Sequence, residues 1–85
     1  MKFSIIWNPV ALKFLRKLPK EIAQRIVMKV RELEENPFHY LEHLENSDYY
    51  KLRVGDYRLL MDVDFRKKIM MVRVIDHRKN IYKHP

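Results

Sequence analysis

The sequence predicts an α+β domain with the element order β-α-α-β-β-β, in which one antiparallel sheet carries an N-terminal helical hairpin on one face. Three observations predict it: a β-branched and aromatic run near the N-terminus, two apolar stripes with helical spacing, and three later runs of strand character. The chain has 85 residues. This length fits one domain, residues 1–85, with a single hydrophobic core.

The first strand is predicted at residues 3–7, which read Phe3-Ser4-Ile5-Ile6-Trp7. Asn8 follows as a helix cap, and Pro9 suits the first helical position, where a missing N–H costs nothing. Apolar residues then recur at i, i+3, i+4 and i+7, as expected for one face of a helix: Ala11, Phe14, Leu15 and Leu18.

Pro19 ends the first helix and can begin the second, which Asn36-Pro37 stops. The apolar face of the second helix is formed by Ile22, Ala23, Ile26, Val30 and Leu33. The connection between the two helices, at Pro19, is so short that it predicts an antiparallel helical hairpin. Residues 37–48 have weak periodicity and are predicted to be a loop with room for one helical turn.

Three strands are predicted at about residues 49–54, 57–64 and 68–75. Gly55-Asp56 separates the first two as a two-residue hairpin turn, in which Gly55 suits a positive φ. The last strand, Ile69–Ile75, is mostly apolar, and we therefore expect it to be central in the sheet.

The two-residue turn also predicts which side chains share a face. It places Arg53 opposite Arg58, and alternation puts Lys51 on their side of the sheet. Directly opposed like charges are unfavourable by about 0.2–1 kcal/mol, and an anion bound between them would reverse that sign. The pattern indicates an anion site, which Arg73 could join; the alternative is a solvated face on which the long side chains splay apart.

The net charge of +7 is concentrated in the second half of the chain. Residues 1–48 hold eight Lys/Arg against seven Asp/Glu, whereas residues 49–85 hold ten against four. A one-sided basic field favours a polyanionic partner such as RNA, and the alternative is a generally basic surface. The absence of cysteine, of a signal-peptide pattern and of a long apolar run predicts a cytoplasmic protein without a membrane segment.

Other polar clusters give weaker signals. His39, Glu42 and His43 are metal-ligand types without metal-ligand spacing, so we interpret them as a solvated loop and predict no metal site. Asp62, Asp64 and Asp76 are expected to supply turn and salt-bridge chemistry, because carboxylates repel RNA. No glycine-rich phosphate loop or cofactor motif is present, and no cofactor is predicted.

Two segments carry a resemblance to a known family: Lys51-Leu52-Arg53-Val54-Gly55-Asp56-Tyr57-Arg58 and the terminal His77-Arg78-x-x-Ile81-Tyr82. With the first strand, the helical pattern and Asn36-Pro37, they make the whole chain resemble the RelE/ParE toxin superfamily. The first segment occurs across the superfamily. The second resembles RelE-type mRNA interferases, since gyrase-directed ParE toxins generally lack the arginine–tyrosine ending.

The resemblance implies a microbial-RNase-like fold and the toxin of a type II toxin–antitoxin pair. Such a toxin enters the ribosomal A site and cleaves mRNA there without a metal. Its partners would be a RelB-like antitoxin, the ribosome and mRNA, with operator DNA bound only through the antitoxin complex. The family's phosphate-stabilising arginine matches Arg58, its C-terminal arginine Arg78, its strand lysine Lys51 and its terminal tyrosine Tyr82.

The general base is left open between two residues. Members with two strand lysines would place one at Tyr49, which cannot be a cationic base. Lys51 could serve if Arg53 and Arg58 ease its deprotonation, and His77 competes because imidazole titrates near neutral pH.

The remaining cations, Arg53, Arg73, Lys79 and Lys83, are expected to bind RNA. Two other functions remain possible for a member of this superfamily. One is a non-catalytic ParE-like toxin that inhibits a protein such as DNA gyrase. The other is an inactive binding module that represses its own operon together with its antitoxin.

Overall fold

Two longer helices and one short helical turn lie between the first strand and a later antiparallel meander. The structure, a computed structural model, describes residues 2–77. Its elements are β1 (Ser4–Trp7), α1 (Pro9–Arg16), α2 (Lys20–Glu32), α3 (Pro37–Tyr40), β2 (Glu42–His43), β3 (Tyr50–Val54), β4 (Tyr57–Asp64) and β5 (Ile69–His77). The predicted α+β class is confirmed, and α3 is the single helical turn for which residues 37–48 had room. The two-residue β2 was not predicted, because two residues carry no periodicity.

The strands form one sheet in the order β1-β5-β4-β3-β2. As predicted, β5 is interior: it pairs with β4 on one side and with β1 on the other. One pairing differs from the predicted all-antiparallel sheet, since β1 runs parallel to β5, with Ser4 opposite Ile69 and Trp7 opposite Val72. Strand direction at this edge depends on the path of the chain through both helices and the meander, which local sequence patterns do not specify.

The start of α1 has the predicted local chemistry. Asn8 is extended, its side-chain oxygen accepts a hydrogen bond from the Val10 N–H at 2.8 Å, and Pro9 occupies the first turn. The cap supplies an acceptor for one of the amides that a helix start leaves without an intrahelical partner. The helix therefore begins at the residue that the sequence indicates.

The hydrophobic core lies between the two longer helices and one face of the sheet. Ala11 and Leu15 of α1, together with Ile26 and Val30 of α2, are buried against this face. The sheet contributes Leu52, Val54, Leu59, Met61, Met70, Val72 and Ile75. Because successive strand residues point to opposite faces, this packing sends the polar residues between them to the other side, which we call the outer face.

The described helices are all short or strongly charged. Among residues 2–77, none has the length and apolar character that a membrane-spanning helix requires.

Candidate nucleic-acid interface

The β3–β4 hairpin has the predicted register. Val54 lies opposite Tyr57, Arg53 opposite Arg58 and Lys51 opposite Leu60. Gly55 in the turn has a φ of +58°, a conformation that costs glycine little and L-residues more. The turn thereby places Lys51, Arg53 and Arg58 together on the outer face.

Arg58 is a buried cation with one hydrogen-bonding edge held by the backbone. Only 6% of the residue is exposed, and Nη1 donates to the carbonyl oxygens of Gly55 at 3.2 Å and Tyr57 at 3.1 Å. Its buried Nε has no hydrogen-bond partner within the described part of the chain. An unmet buried donor costs about 1–3 kcal/mol, more for a charged group, so an acceptor that reached Nε would be strongly favoured.

Lys51 is the second buried cation of the outer face. Its side chain is 8% exposed, and its Nζ lies 3.6 Å from Oε1 of Glu42, which is itself 67% exposed. Strand β2 sets this contact, because Glu42 is the cross-strand partner of Lys51. Sequence patterns did not identify Glu42 as a neighbour of Lys51. The contact depends on strand β2, and a strand of two residues is too short to show an alternating pattern in the sequence.

A carboxylate completes the row that begins with the two opposed arginines. The β4–β5 register places Asp76 opposite Arg58, so the order across the outer face is Arg53, Arg58, Asp76. One oxygen of Asp76 accepts a hydrogen bond from the His77 N–H at 2.7 Å. An opposite charge at a directly opposed position is a favourable cross-strand pairing, unlike the pairing of the two arginines. Asp76, for which the sequence predicted turn or salt-bridge chemistry, thus lies on the strand next to the arginine pair.

His77 lies on the helix-covered face and is separated from this site. Its cross-strand partner is Tyr57, and the two ring centroids are 5.6 Å apart. Tyr57 in turn contacts Phe14 of helix α1, with centroids 6.4 Å apart. The sheet therefore lies between the imidazole of His77 and the cations Lys51 and Arg58.

Arg73 reaches the outer face through a β-bulge. Leu60 pairs with Val74 and Met61 pairs with Val72, which leaves Arg73 without an opposite residue. Its Nη1 lies 2.9 Å from Oδ2 of Asp62, and its guanidinium carbon is 5.8 Å from the ring centroid of Tyr49. Bulges redirect side chains, and this one brings the half-exposed guanidinium of Arg73 beside Tyr49. Tyr49 is the position at which family members with two strand lysines would carry one of them.

The C-terminal part of the expected site lies outside the described residues. This applies to Arg78, Lys79, Tyr82 and Lys83. Of the residues considered as metal ligands, Glu42 contacts Lys51, His43 contacts the ring of Tyr50 and His39 contacts the ring of Tyr40. Within residues 2–77, no group of three or more His, Asp or Glu side chains could hold a metal ion.

Comparison with known proteins identifies the family to which this chain belongs. A family model described as the ParE toxin of type II toxin–antitoxin systems, parDE, matches residues 5–82. The chain belongs to the RelE/ParE superfamily of type II toxins. A protein of Methanocaldococcus jannaschii named as a RelE1 toxin is 29% identical over 90 residues, covering 100% of both chains.

Solved RelE structures have the same fold as this toxin. RelE from the archaeal RelE–RelB complex of Pyrococcus horikoshii OT3 matches with a TM-score of 0.80 and 26% identity, covering 92% of this chain and 97% of the other. A double arginine-to-alanine mutant of Escherichia coli RelE in the free state matches with a TM-score of 0.78 and 26% identity, covering 96% and 90%. The recognised superfamily and the fold are thus confirmed, and the chain is a type II toxin-family protein.

Proposed function

We propose that this toxin is a ribosome-dependent endoribonuclease that cleaves mRNA in the A site without a metal ion. The observation that carries the proposal is the buried guanidinium of Arg58. Two carbonyls hold its Nη1, its Nε has no partner among the described residues, and a second arginine lies opposite it. A phosphate oxygen is an acceptor of suitable charge, and guanidinium binds phosphate through two parallel hydrogen bonds.

The reaction would use the substrate's own 2′-hydroxyl as the nucleophile. A base removes its proton, the 2′-oxygen bonds to phosphorus, and the 5′-oxygen leaves with a proton from an acid. The products are a 2′,3′-cyclic phosphate and a 5′-hydroxyl. Arg58 and Arg78 would stabilise the negative charge that develops on the phosphorane oxygens, which is often the largest catalytic contribution.

Other residues would take supporting roles. Between the two candidate bases, the geometry favours Lys51, which shares the face of Arg58, over His77, which lies behind the sheet. Tyr82 would orient the scissile phosphate or stack on a base. Arg53, Arg73, Lys79 and Lys83 would bind the RNA backbone.

Loss of Arg58 tests the assignment most directly. We expect Arg58→Ala to reduce mRNA cleavage about 10²–10³-fold, the usual effect of removing one donor to a developing anion. The measurement is primer extension on mRNA from a purified translation reaction, with Arg78→Ala in parallel. Arg16→Ala is the matched control, because Arg16 is exposed on α1 and its loss changes the net charge equally. If Arg58→Ala and Arg78→Ala both cut at the wild-type rate, the site assignment is wrong.

The partner we propose is a RelB-like antitoxin. Its support is that relatives of this toxin were solved as RelE–RelB complexes, including those from Pyrococcus horikoshii and Methanococcus jannaschii. The antitoxin would neutralise the toxin in the cytoplasm, and operator DNA would be bound only through the complex. Growth arrest that a small protein encoded beside the toxin gene relieves, with copurification of the two proteins, would support this partner. Full toxicity despite its coexpression would count against it.

A second function is favoured by one specific observation. The matching family model is described by ParE rather than by RelE. The chain would then be a non-catalytic inhibitor of a protein such as DNA gyrase. Intact mRNA together with inhibited supercoiling by purified gyrase would establish this alternative, whereas cleaved mRNA with normal supercoiling would exclude it.

A further inference from the structure

An exposed pair of stacked rings lies at the end of the sheet remote from Arg58. The rings of Phe38 and Phe65 are parallel to within 1°, with centroids 5.2 Å apart. Phe65 is fixed from behind by Phe3 and Tyr50, whose centroids are 6.0 and 5.9 Å away. Phe38 is 74% exposed, so Phe65 covers one side of its ring and the other side is open to solvent.

The turn that carries Phe65 is strongly basic. Arg66, Lys67 and Lys68 follow it directly, and the first two are exposed. The Nζ of Lys68 lies 5.1 Å from the ring centroid of Phe3, which in turn contacts Phe65. Asp64, the carboxylate of this turn, uses its Oδ1 to accept the backbone N–H groups of Arg66 and Lys67.

We propose that Phe38 and Phe65, together with Arg66, Lys67 and Lys68, form a stacking platform for single-stranded RNA. The open ring of Phe38 would take a base, which extends the existing stack by one ring. The cations of the turn would neutralise the neighbouring phosphates. Flat aromatic faces beside positive charge are the combination by which proteins bind single strands with little sequence preference.

The platform is a separate contact from the proposed cleavage site. Phe65 follows the end of β4 and lies seven positions after Arg58, and seven steps along an extended strand correspond to about 23 Å. The rings also lie on the side of Phe3 and Tyr50, whereas Arg58 is on the outer face. The inference rests on the proposed RNA substrate, and it assigns a second segment of RNA to this end of the toxin.

Tryptophan fluorescence can report the stacking directly. We expect Phe38→Trp, in an Arg58→Ala background that prevents cleavage, to show quenched emission when titrated with a 12-nucleotide single-stranded RNA. An abasic strand of the same length keeps the phosphates and should leave the added emission unquenched. The Arg58→Ala protein that retains Phe38 is the control for Trp7, the tryptophan already present. Equal quenching by both strands, or none by either, would overturn the proposal.

Affinity of the same RNA for a set of Phe38 variants separates stacking from simple apolar contact. Phe38→Ala and Phe38→Leu should both weaken binding about tenfold, whereas Phe38→Tyr should preserve it. If Phe38→Ala leaves RNA affinity unchanged and weakens binding of the antitoxin, the surface is a protein interface and the proposal is wrong. Codon-dependent cleavage by toxin with intact Arg58 tests the proposed function independently, so the two can fail separately.

Discussion

Two buried cations are the residue-scale feature on which the proposed function depends most. Lys51 and Arg58 are less than a tenth exposed, although charged side chains are seldom buried without compensation. Carbonyl oxygens compensate one edge of Arg58, and Glu42 lies near the ammonium of Lys51. The remaining edge of Arg58 is where a phosphate would add most, because the desolvation of the guanidinium has already occurred.

The position of each candidate base gives a prediction at the same scale. We expect Lys51→Ala to lower cleavage about 10²–10⁴-fold, the usual range for a positioned acid or base. His77→Ala should change it only a few-fold, because the sheet separates this ring from Arg58. Lys51→Arg keeps the cation but removes the group that can readily accept a proton, so it distinguishes base catalysis from charge. Single-turnover cleavage of ribosome-bound mRNA measures all three; strong loss in His77→Ala with normal cleavage by Lys51→Ala would reverse the assignment.

At the scale of elements, the β3–β4 hairpin is the unit that assembles the candidate site. A two-residue turn leaves one register available, and that register alone places Arg53 opposite Arg58. The turn depends on the positive φ of Gly55. A residue that resists this conformation would therefore destabilise the hairpin and disturb the positions of Lys51, Arg53 and Arg58 on the outer face.

Substitutions at Gly55 test the turn. We expect Gly55→Ala to lower the free energy of unfolding by about 1–2 kcal/mol, since L-residues resist the left-handed conformation. Steric overlap adds nothing, because the nearest atom to an added Cβ would be Nη1 of Arg25 at 3.7 Å. Gly55→Asn should cost less, because asparagine tolerates positive φ, and Asp56→Ala is the neighbouring control. Urea denaturation provides the measurement; equal stability of Gly55→Ala and wild type would contradict this account of the turn.

Strand β5 contributes side chains to both the core and the outer face through a β-bulge, which interrupts its regular alternation. The bulge at Arg73 lets Val72 and Ile75 both face the core, while Arg73 reaches Asp62 on the outer face. Strict alternation would have sent one of the two apolar residues to the outer face. The element thus supplies both core packing and a cation beside Tyr49.

At the scale of the whole molecule, the sheet separates packing from charge. Helices α1 and α2 bury one face, and the cations of the hairpin gather on the other. The sequence beyond residue 48 carries almost all of the net positive charge. This separation predicts RNA binding that weakens steeply as salt rises.

The salt dependence can be assigned to particular cations. Each phosphate contact that a substitution removes should lower the slope of log affinity against log salt by about 0.7 for a single strand. We expect Arg53→Gln and Arg73→Gln each to lower it by roughly that amount, and Lys20→Gln at the start of α2 to leave it unchanged. Fluorescence anisotropy with a labelled RNA at several salt concentrations measures the slopes. Identical slopes for all three variants would show that the positive charges that bind RNA are not localised on the outer face.

Local chemistry in the chain determined the helices, the hairpin and its register. Asn8-Pro9, the apolar stripes and Gly55-Asp56 act through caps, spacing and turn conformation, which involve neighbouring residues only, so Arg53, Arg58 and Lys51 could be placed on one face in advance. Tertiary structure alone decided the parallel pairing of β1, the contact of Glu42 with Lys51, the bulge at Arg73 and the side of the sheet on which His77 lies. Each of these joins residues distant in sequence, and its geometry follows from how the whole sheet packs against the helices. The basic hairpin could therefore be predicted from the sequence. Its neighbours in the sheet, and the stacking of Phe38 on Phe65 at the opposite end, could be identified only from the tertiary structure.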